Sequence, residues 1–228
     1  MPIEVKAPEP RQLLVVLLLD TSASMAVEGK IDVLNDSVRR MLEAFKKIDI
    51  PGLQIDLSVI TFGGEALVHL PPSHVQDVEQ WAPIGTSGNT PMGAAFSLAA
   101  KLLNDESVIP RRSFKPNLVL VSDGIPTDEW RKPLDVMGNS EHGKRAFRFA
   151  VGIGSDLKID VLKDFAGKDG EVVPIEKVEL LTEFFKYVTM TVTRVANSSV
   201  SSQADTPTFK VSDIPTFKVF PTNEIIEF

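Results

Sequence analysis

The sequence predicts an α/β fold, Rossmann-like and doubly wound, with a mostly parallel central sheet flanked by helices. Three observations carry that expectation. Leu13-Leu-Val-Val-Leu-Leu-Leu19 is apolar without alternation, the pattern of a strand buried on both faces of a parallel sheet. Between Ile31 and Ile48 apolar residues recur at three- and four-residue steps with Arg39, Arg40, Glu43, Lys46 and Lys47 elsewhere, which describes an amphipathic helix. Strand-like and helix-like segments then alternate as far as Asn197, as βα repeats require.

The elements follow in order. Pro51-Gly52 ends the first helix, and Leu53 to Phe62 alternates as a second strand. Ala66 to Leu70 reads as a short edge strand closed by Pro71-Pro72. Gly85 to Thr90 is irregular, Pro91 stands where a first helical residue is favoured, and Met92 to Leu103 continues as helix. Pro116 to Ser122 is a buried strand, a helix is expected from Trp130, and Arg145 to Ile153 is a fifth strand stopped by Gly152 and Gly154. A short helix from Ile159 to Phe165, a small strand from Glu171 to Pro174 and an amphipathic helix from Val178 to Val195 complete the core.

The chain thus divides into an N-terminal extension (1–10), a core domain (11–197), and a polar linker with a C-terminal tail (198–228). The tail repeats itself, since Pro207-Thr-Phe-Lys-Val211 and Pro215-Thr-Phe-Lys-Val219 are identical. Phe209, Phe217, Phe220 and Phe228 are more apolar than a solvating tail needs, so self-association or docking on a partner is expected of it, with Glu224 or Glu227 available as carboxylates.

Composition narrows the function. A chain of 228 residues can bury a full core without covalent staples. With no cysteine, disulfide scaffolds, zinc fingers, iron–sulfur clusters and thiol catalysis are excluded, and a metal must be held by oxygen or by one of three histidines. The net charge of -7 argues against a sequence-independent nucleic-acid binder. The longest apolar run falls far short of the roughly 20 residues that span a bilayer. The first ten residues hold acids and three prolines where a secretory signal needs a basic start. A cytoplasmic protein with no membrane contact is expected.

Three segments should meet beyond the carboxyl ends of the strands, where open parallel sheets collect ligands. They are Asp20-Thr-Ser-Ala-Ser24-Met25, Gly88-Asn-Thr90-Pro-Met-Gly93 and Ser122-Asp123-Gly124. Asp-x-Ser-x-Ser sets two hydroxyls two residues apart with a carboxylate behind them, Thr90 can add a third hydroxyl and Asp123 a second carboxylate. Hard oxygen donors suit Mg2+, with Ca2+ or Mn2+ as alternatives. Only two of the five groups carry charge, so a carboxylate from another molecule would complete the shell.

These residues resemble the metal-ion-dependent adhesion site of von Willebrand factor A domains, and the resemblance extends over the core, through Val151-Gly-Ile-Gly154 and Leu162 to Ala166. It implies that Ser22, Ser24 and Thr90 contact the metal while Asp20 and Asp123 contact it or hold its waters. Short, signal-less bacterial members associated with tellurite resistance and stress, called TerY-like, look similar in their Asp-Thr-Ser-x-Ser-Met motif. That similarity implies a scaffold for protein partners, a kinase or a phosphatase among them.

Other chemistries fit less well. Asp20 could serve as the nucleophile of a metal-assisted phosphohydrolase, but such enzymes need a second aspartate two residues on, where this chain has Ser22. No phosphate-binding glycine loop and no Gly-x-Ser-x-Gly occurs. A non-enzyme is expected. His69, His74 and His142 lack ligand spacing and read as exposed polar residues, and Arg111, Arg112 and Lys115 as a solvated turn. Thr127 or Asp128 is expected to cap the helix that follows, and Met25 and Phe62 to line the apolar surround.

Overall fold

The computed structural model describes residues 10–154 and 159–200, with side chains to Arg194. Six strands form one sheet in the order β3-β2-β1-β4-β5-β6. They are β1 (Arg11–Asp20), β2 (Leu53–Gly63), β3 (Glu65–His74), β4 (Asn117–Ser122), β5 (Phe147–Ile153) and β6 (Glu171–Ile175). All neighbours run parallel except β2 and β3. The expected doubly wound, mostly parallel sheet is therefore the fold.

The apolar run of the sequence becomes β1, and alternation of side chains across the strand explains why it must be apolar throughout. Leu13, Val15, Leu17 and Leu19 face one layer of helices, where α1 (Lys30–Lys46) supplies Val38, Leu42 and Phe45 and α5 (Leu180–Val200) supplies Phe184 and Val188. Leu14, Val16 and Leu18 face the other layer. There α2 (Met92–Leu103) brings Phe96 and Leu103, α3 (Arg131–Asn139) brings Met137, and α4 (Ile159–Ala166) brings Leu162 and Phe165. Phe96 and Phe165 stack at 5.6 Å between the last of these helices and α2.

Three elements differ from expectation, the fifth strand first, which starts at Phe147 because Gly143–Arg145 forms a 3-10 turn. The edge strand does not stop at Pro71-Pro72 but continues to His74, and the prolines fall where the register with β2 shifts, between the Val59↔Leu70 and Leu57↔Ser73 pairs. Proline lacks the ladder donor, so an edge strand at an irregular register is where a sheet tolerates it. The final helix begins at Leu180 and runs past Val195 to Val200. The N-terminal extension apart from Pro10, and the tail with its twin repeat, lie outside the described residues.

Topology also places the site. β1 is hydrogen-bonded to β2 on one side and to β4 on the other, so connections leave it in opposite directions. A crevice opens at such a switch point beyond the carboxyl ends of the two central strands. Asp20 ends β1 and Asp123 follows β4 directly.

Candidate metal centre

The chain turns sharply after Asp20. Ser22 is extended (φ -63°, ψ 166°) and a short 3-10 turn starts at Ala23, so the two serine hydroxyls come to the same side, 3.0 Å apart. Asp20 is fully buried and both its oxygens are occupied: Oδ1 accepts the Ser22 backbone N–H at 2.8 Å and Oδ2 accepts the Ser122 hydroxyl at 2.5 Å. Burial pushes the Asp20 carboxyl above its ordinary value, the hydrogen bonds from Ser122 and Ser22 work against that rise, and nearby Asp123 adds to it.

Asp123 closes the ring. Its Oδ1 accepts the Ser24 hydroxyl at 2.7 Å and its Oδ2 receives the Lys30 ammonium at 2.6 Å. Thr90 arrives from the segment Gly88 to Gly93, 5% exposed, and its hydroxyl has no hydrogen-bond partner among the described residues. A methyl group built on Gly124 would lie 3.2 Å from Thr90 Oγ1 and 3.6 Å from Asp20 Oδ2, so the threonine hydroxyl and the aspartate carboxylate converge on the same small space. All five residues expected from the sequence come together.

The loop that carries Thr90 is held by backbone bonds. Ala23 N–H donates to Gly88 O at 3.0 Å, Ser87 N–H to Thr21 O at 2.7 Å and Gly64 N–H to Asn89 O at 2.8 Å. Such close approach needs glycine at Gly63 and Gly88, where a Cβ would meet Thr21 O at 2.3 Å and the Gly64 Cα at 2.6 Å. Beside the site a cleft of about 550 Å³ opens between the β2–β3 turn and residues 83–87, lined by Thr21, Glu65, Leu67, His69 and Ile84.

Several expectations need revision. Asp128 does not cap the helix after it: its two oxygens accept the N–H groups of Gly93 and Ala94, each at 2.9 Å, so it caps α2. The next helix takes Glu129 instead, through Lys132 N–H at 3.2 Å. Pro91 sits one position before α2 rather than inside it. His142 is buried, 4% exposed, and burial lowers its pKa. His69 meets Ala82 O at 2.8 Å, and His74 meets Ile55 O at 3.0 Å. Met25 and Phe62 are fully buried, as expected, and Arg111 is exposed and paired with Glu106 at 3.2 Å. Lys30 is not among the residues expected at the site, and Ser122, expected there only as part of its segment, takes a role as donor to Asp20. The visible signal for Lys30 is a cation at the start of a helix, the end a helix dipole disfavours.

Among the described residues no three His, Cys, Asp or Glu side chains group to hold a metal, so a cation here would rest on hydroxyls. The donor set fits one: three hydroxyl oxygens and two carboxylates are hard ligands of the kind Mg2+ or Mn2+ takes.

The model of the von Willebrand factor type A domain matches residues 15–186, most of the chain and every site residue. The chain belongs to this family. Solved structures agree on the fold. A von Willebrand factor type A protein from Catenulispora acidiphila superposes with a TM-score of 0.64 at 18% identity, over 81% of this chain and 43% of that one. The ArnB paralog VWA2 from Sulfolobus acidocaldarius gives 0.58 at 19% identity, over 83% and 46%. Proximal thread matrix protein 1 of the mussel byssus, in a structure with a zinc-occupied MIDAS motif, gives 0.59 at 15% identity, over 84% and 49%. This VWA chain therefore spans less than half the length of each of these proteins. No curated protein matches it in sequence.

Proposed function

We propose that this VWA chain is a binding module that grips an aspartate or glutamate of a partner protein through a divalent cation, Mg2+ first, held by Ser22, Ser24 and Thr90 with Asp20 and Asp123 behind them. VWA domains generally mediate metal-dependent protein–protein interaction. The observation that carries the proposal is the convergence of the Thr90 hydroxyl and the Asp20 carboxylate on one small space. A cation bound there would offer an incoming carboxylate an electropositive coordination position.

The chain's own residues prepare that position. Ser122 and the Ser22 N–H fix both oxygens of Asp20, Ser24 orients Asp123, and Asp128 holds the start of α2 on which the Thr90 loop depends. The sequence at the site favours a non-catalytic role: an aspartyl nucleophile for phosphoryl transfer needs a neighbouring acid two residues on, and that position is Ser22. Residues flanking the partner's carboxylate would enter the cleft beside Leu67 and Ile84. The resemblance of the Asp-Thr-Ser-x-Ser-Met motif supports placement among TerY-like scaffolds, in the cytoplasm, with a kinase or phosphatase as the class of partner. Among the described residues no helix is long and apolar enough to cross a membrane.

A peptide array varying Asp, Glu and their amides, probed with the whole chain, tests the proposal. Retention in Mg2+ that disappears in EDTA, and on Asp→Asn exchange in the peptide, is expected. Equal retention in EDTA would overturn it.

A further inference from the structure

Lys30 is the first residue of α1, where the aligned peptide dipoles repel a cation. Its ammonium is nevertheless held 2.6 Å from Asp123 Oδ2, in a pair whose side chains are 14% and 1% exposed. The bend that delivers it there is unusual. Glu28 (φ 56°) and Gly29 (φ 67°) are both left-handed, and Glu28 is the one such non-glycine residue among those described. A left-handed glutamate is uncommon and costs backbone energy. A sequence that breaks two local preferences to put a lysine against a buried aspartate has a functional reason to look for.

The remaining bonds around Asp123 are compatible with a cation. A serine hydroxyl can turn a lone pair to a metal while its proton stays on the carboxylate, so the bond from Ser24 can persist. An ammonium has only donors and repels a second cation. We propose that Lys30 is a built-in competitor of the divalent ion: it neutralises Asp123 in the ion-free protein and must leave that carboxylate before the site loads. Metal affinity is thereby set low, and a partner's carboxylate, which adds the negative charge that Lys30 cancels, raises it. By linkage the ion then raises the affinity for that acidic partner to the same degree. This regulation rests on the metal site proposed above.

The test uses Mn2+ alone as the probe, titrated calorimetrically into the wild type, Lys30→Met and Lys30→Arg, with melting of each ion-free protein measured in parallel. Methionine keeps the stem and removes the charge. Lys30→Met is expected to bind Mn2+ about tenfold more tightly and to melt lower without the ion, while Lys30→Arg stays near the wild type in both. Lys30→Gln provides the same comparison where methionine impairs folding. Equal or weaker binding by the neutral variants would overturn the competitor and make Lys30 a brace of the site. Binding by the neutral variants but not by the wild type would support the competitor and overturn the metal-dependent grip of the natural chain. Binding by none would overturn both.

Discussion

Asp128 accepts hydrogen bonds from the backbone of Gly93 and Ala94, each at 2.9 Å, and so ties the start of α2 to the loop that follows β4. Thr127 N–H adds a bond to Thr90 O at 3.0 Å. The loop presenting Thr90 and the loop presenting Asp123 are therefore a single bonded unit, although neither residue touches the other in sequence. Close packing reinforces it, since a Cβ on Gly93 would meet Glu129 O at 2.0 Å.

Asp128→Ala is accordingly expected to do two things. Loss of a helix cap should destabilise the fold by about 1–2 kcal/mol, read by denaturant unfolding. Mn2+ affinity should fall as well, because the Thr90 loop loses its anchor. Asp128→Asn, which keeps one acceptor, should fall between. Unchanged metal binding in Asp128→Ala would show that the Thr90 loop is set by its other backbone bonds alone.

Thr90→Val separates ligand from scaffold. The hydroxyl has no partner among the described residues and the residue is buried, so valine of similar shape leaves packing intact. Stability should change by less than about 1 kcal/mol, while Mn2+ affinity drops at least about tenfold, one hydroxyl ligand of three being gone. A large loss of stability with metal binding retained would place Thr90 in the fold and not in the site.

Gly124→Ala tests the geometry of the same space. The backbone there is not left-handed, so alanine carries no conformational strain, but its methyl would press on Thr90 Oγ1 at 3.2 Å and approach Asp20 Oδ2 at 3.6 Å. The variant should fold and melt close to the wild type, yet take up Mn2+ weakly. Normal uptake would show that the space between Thr90 and Asp20 is wider than the ion needs.

How much of this was legible in the sequence follows the distance over which each signal acts. Leu13 to Leu19 announces a central parallel strand because burial on both faces leaves no polar position, and Asp20, Ser22 and Ser24 are set by one turn of backbone. Thr90 and Asp123 could be attached to them because each follows an element whose end points to the same rim. The pair Lys30–Asp123 spans 93 positions and depends on two left-handed residues that no periodicity reveals. Asp128 looks like a local cap because Asp before a helix usually is one. The sheet brings a different helix N-terminus within reach, and tertiary geometry wins. The course of β3 through Pro71-Pro72 was hidden for a similar reason, since proline forbids an inner strand but not an edge with a register shift.

Asp20→Asn addresses what the site costs the fold. The Asp20 carboxyl is raised above 3.8 chiefly by burial, so the folded state holds a proton more firmly than the unfolded state does. Stability from this group is thus greatest below pH 3.8, where both states are protonated, and is lost as pH rises through the raised folded value. Asparagine is neutral at every pH, can still accept the Ser22 N–H, and carries no such penalty. In EDTA the variant should melt higher than the wild type at pH 7, about 2–4 °C for each 1 kcal/mol recovered, with the advantage shrinking as pH falls toward 4. Added Mg2+ should reverse the order, stabilising the wild type by mass action and leaving the variant where it was. An Asp20→Asn protein that melts below the wild type in EDTA at pH 7 would show that the hydrogen bonds from Ser122 and Ser22 outweigh the burial of the charge, and that Asp20 supports the fold without any ion.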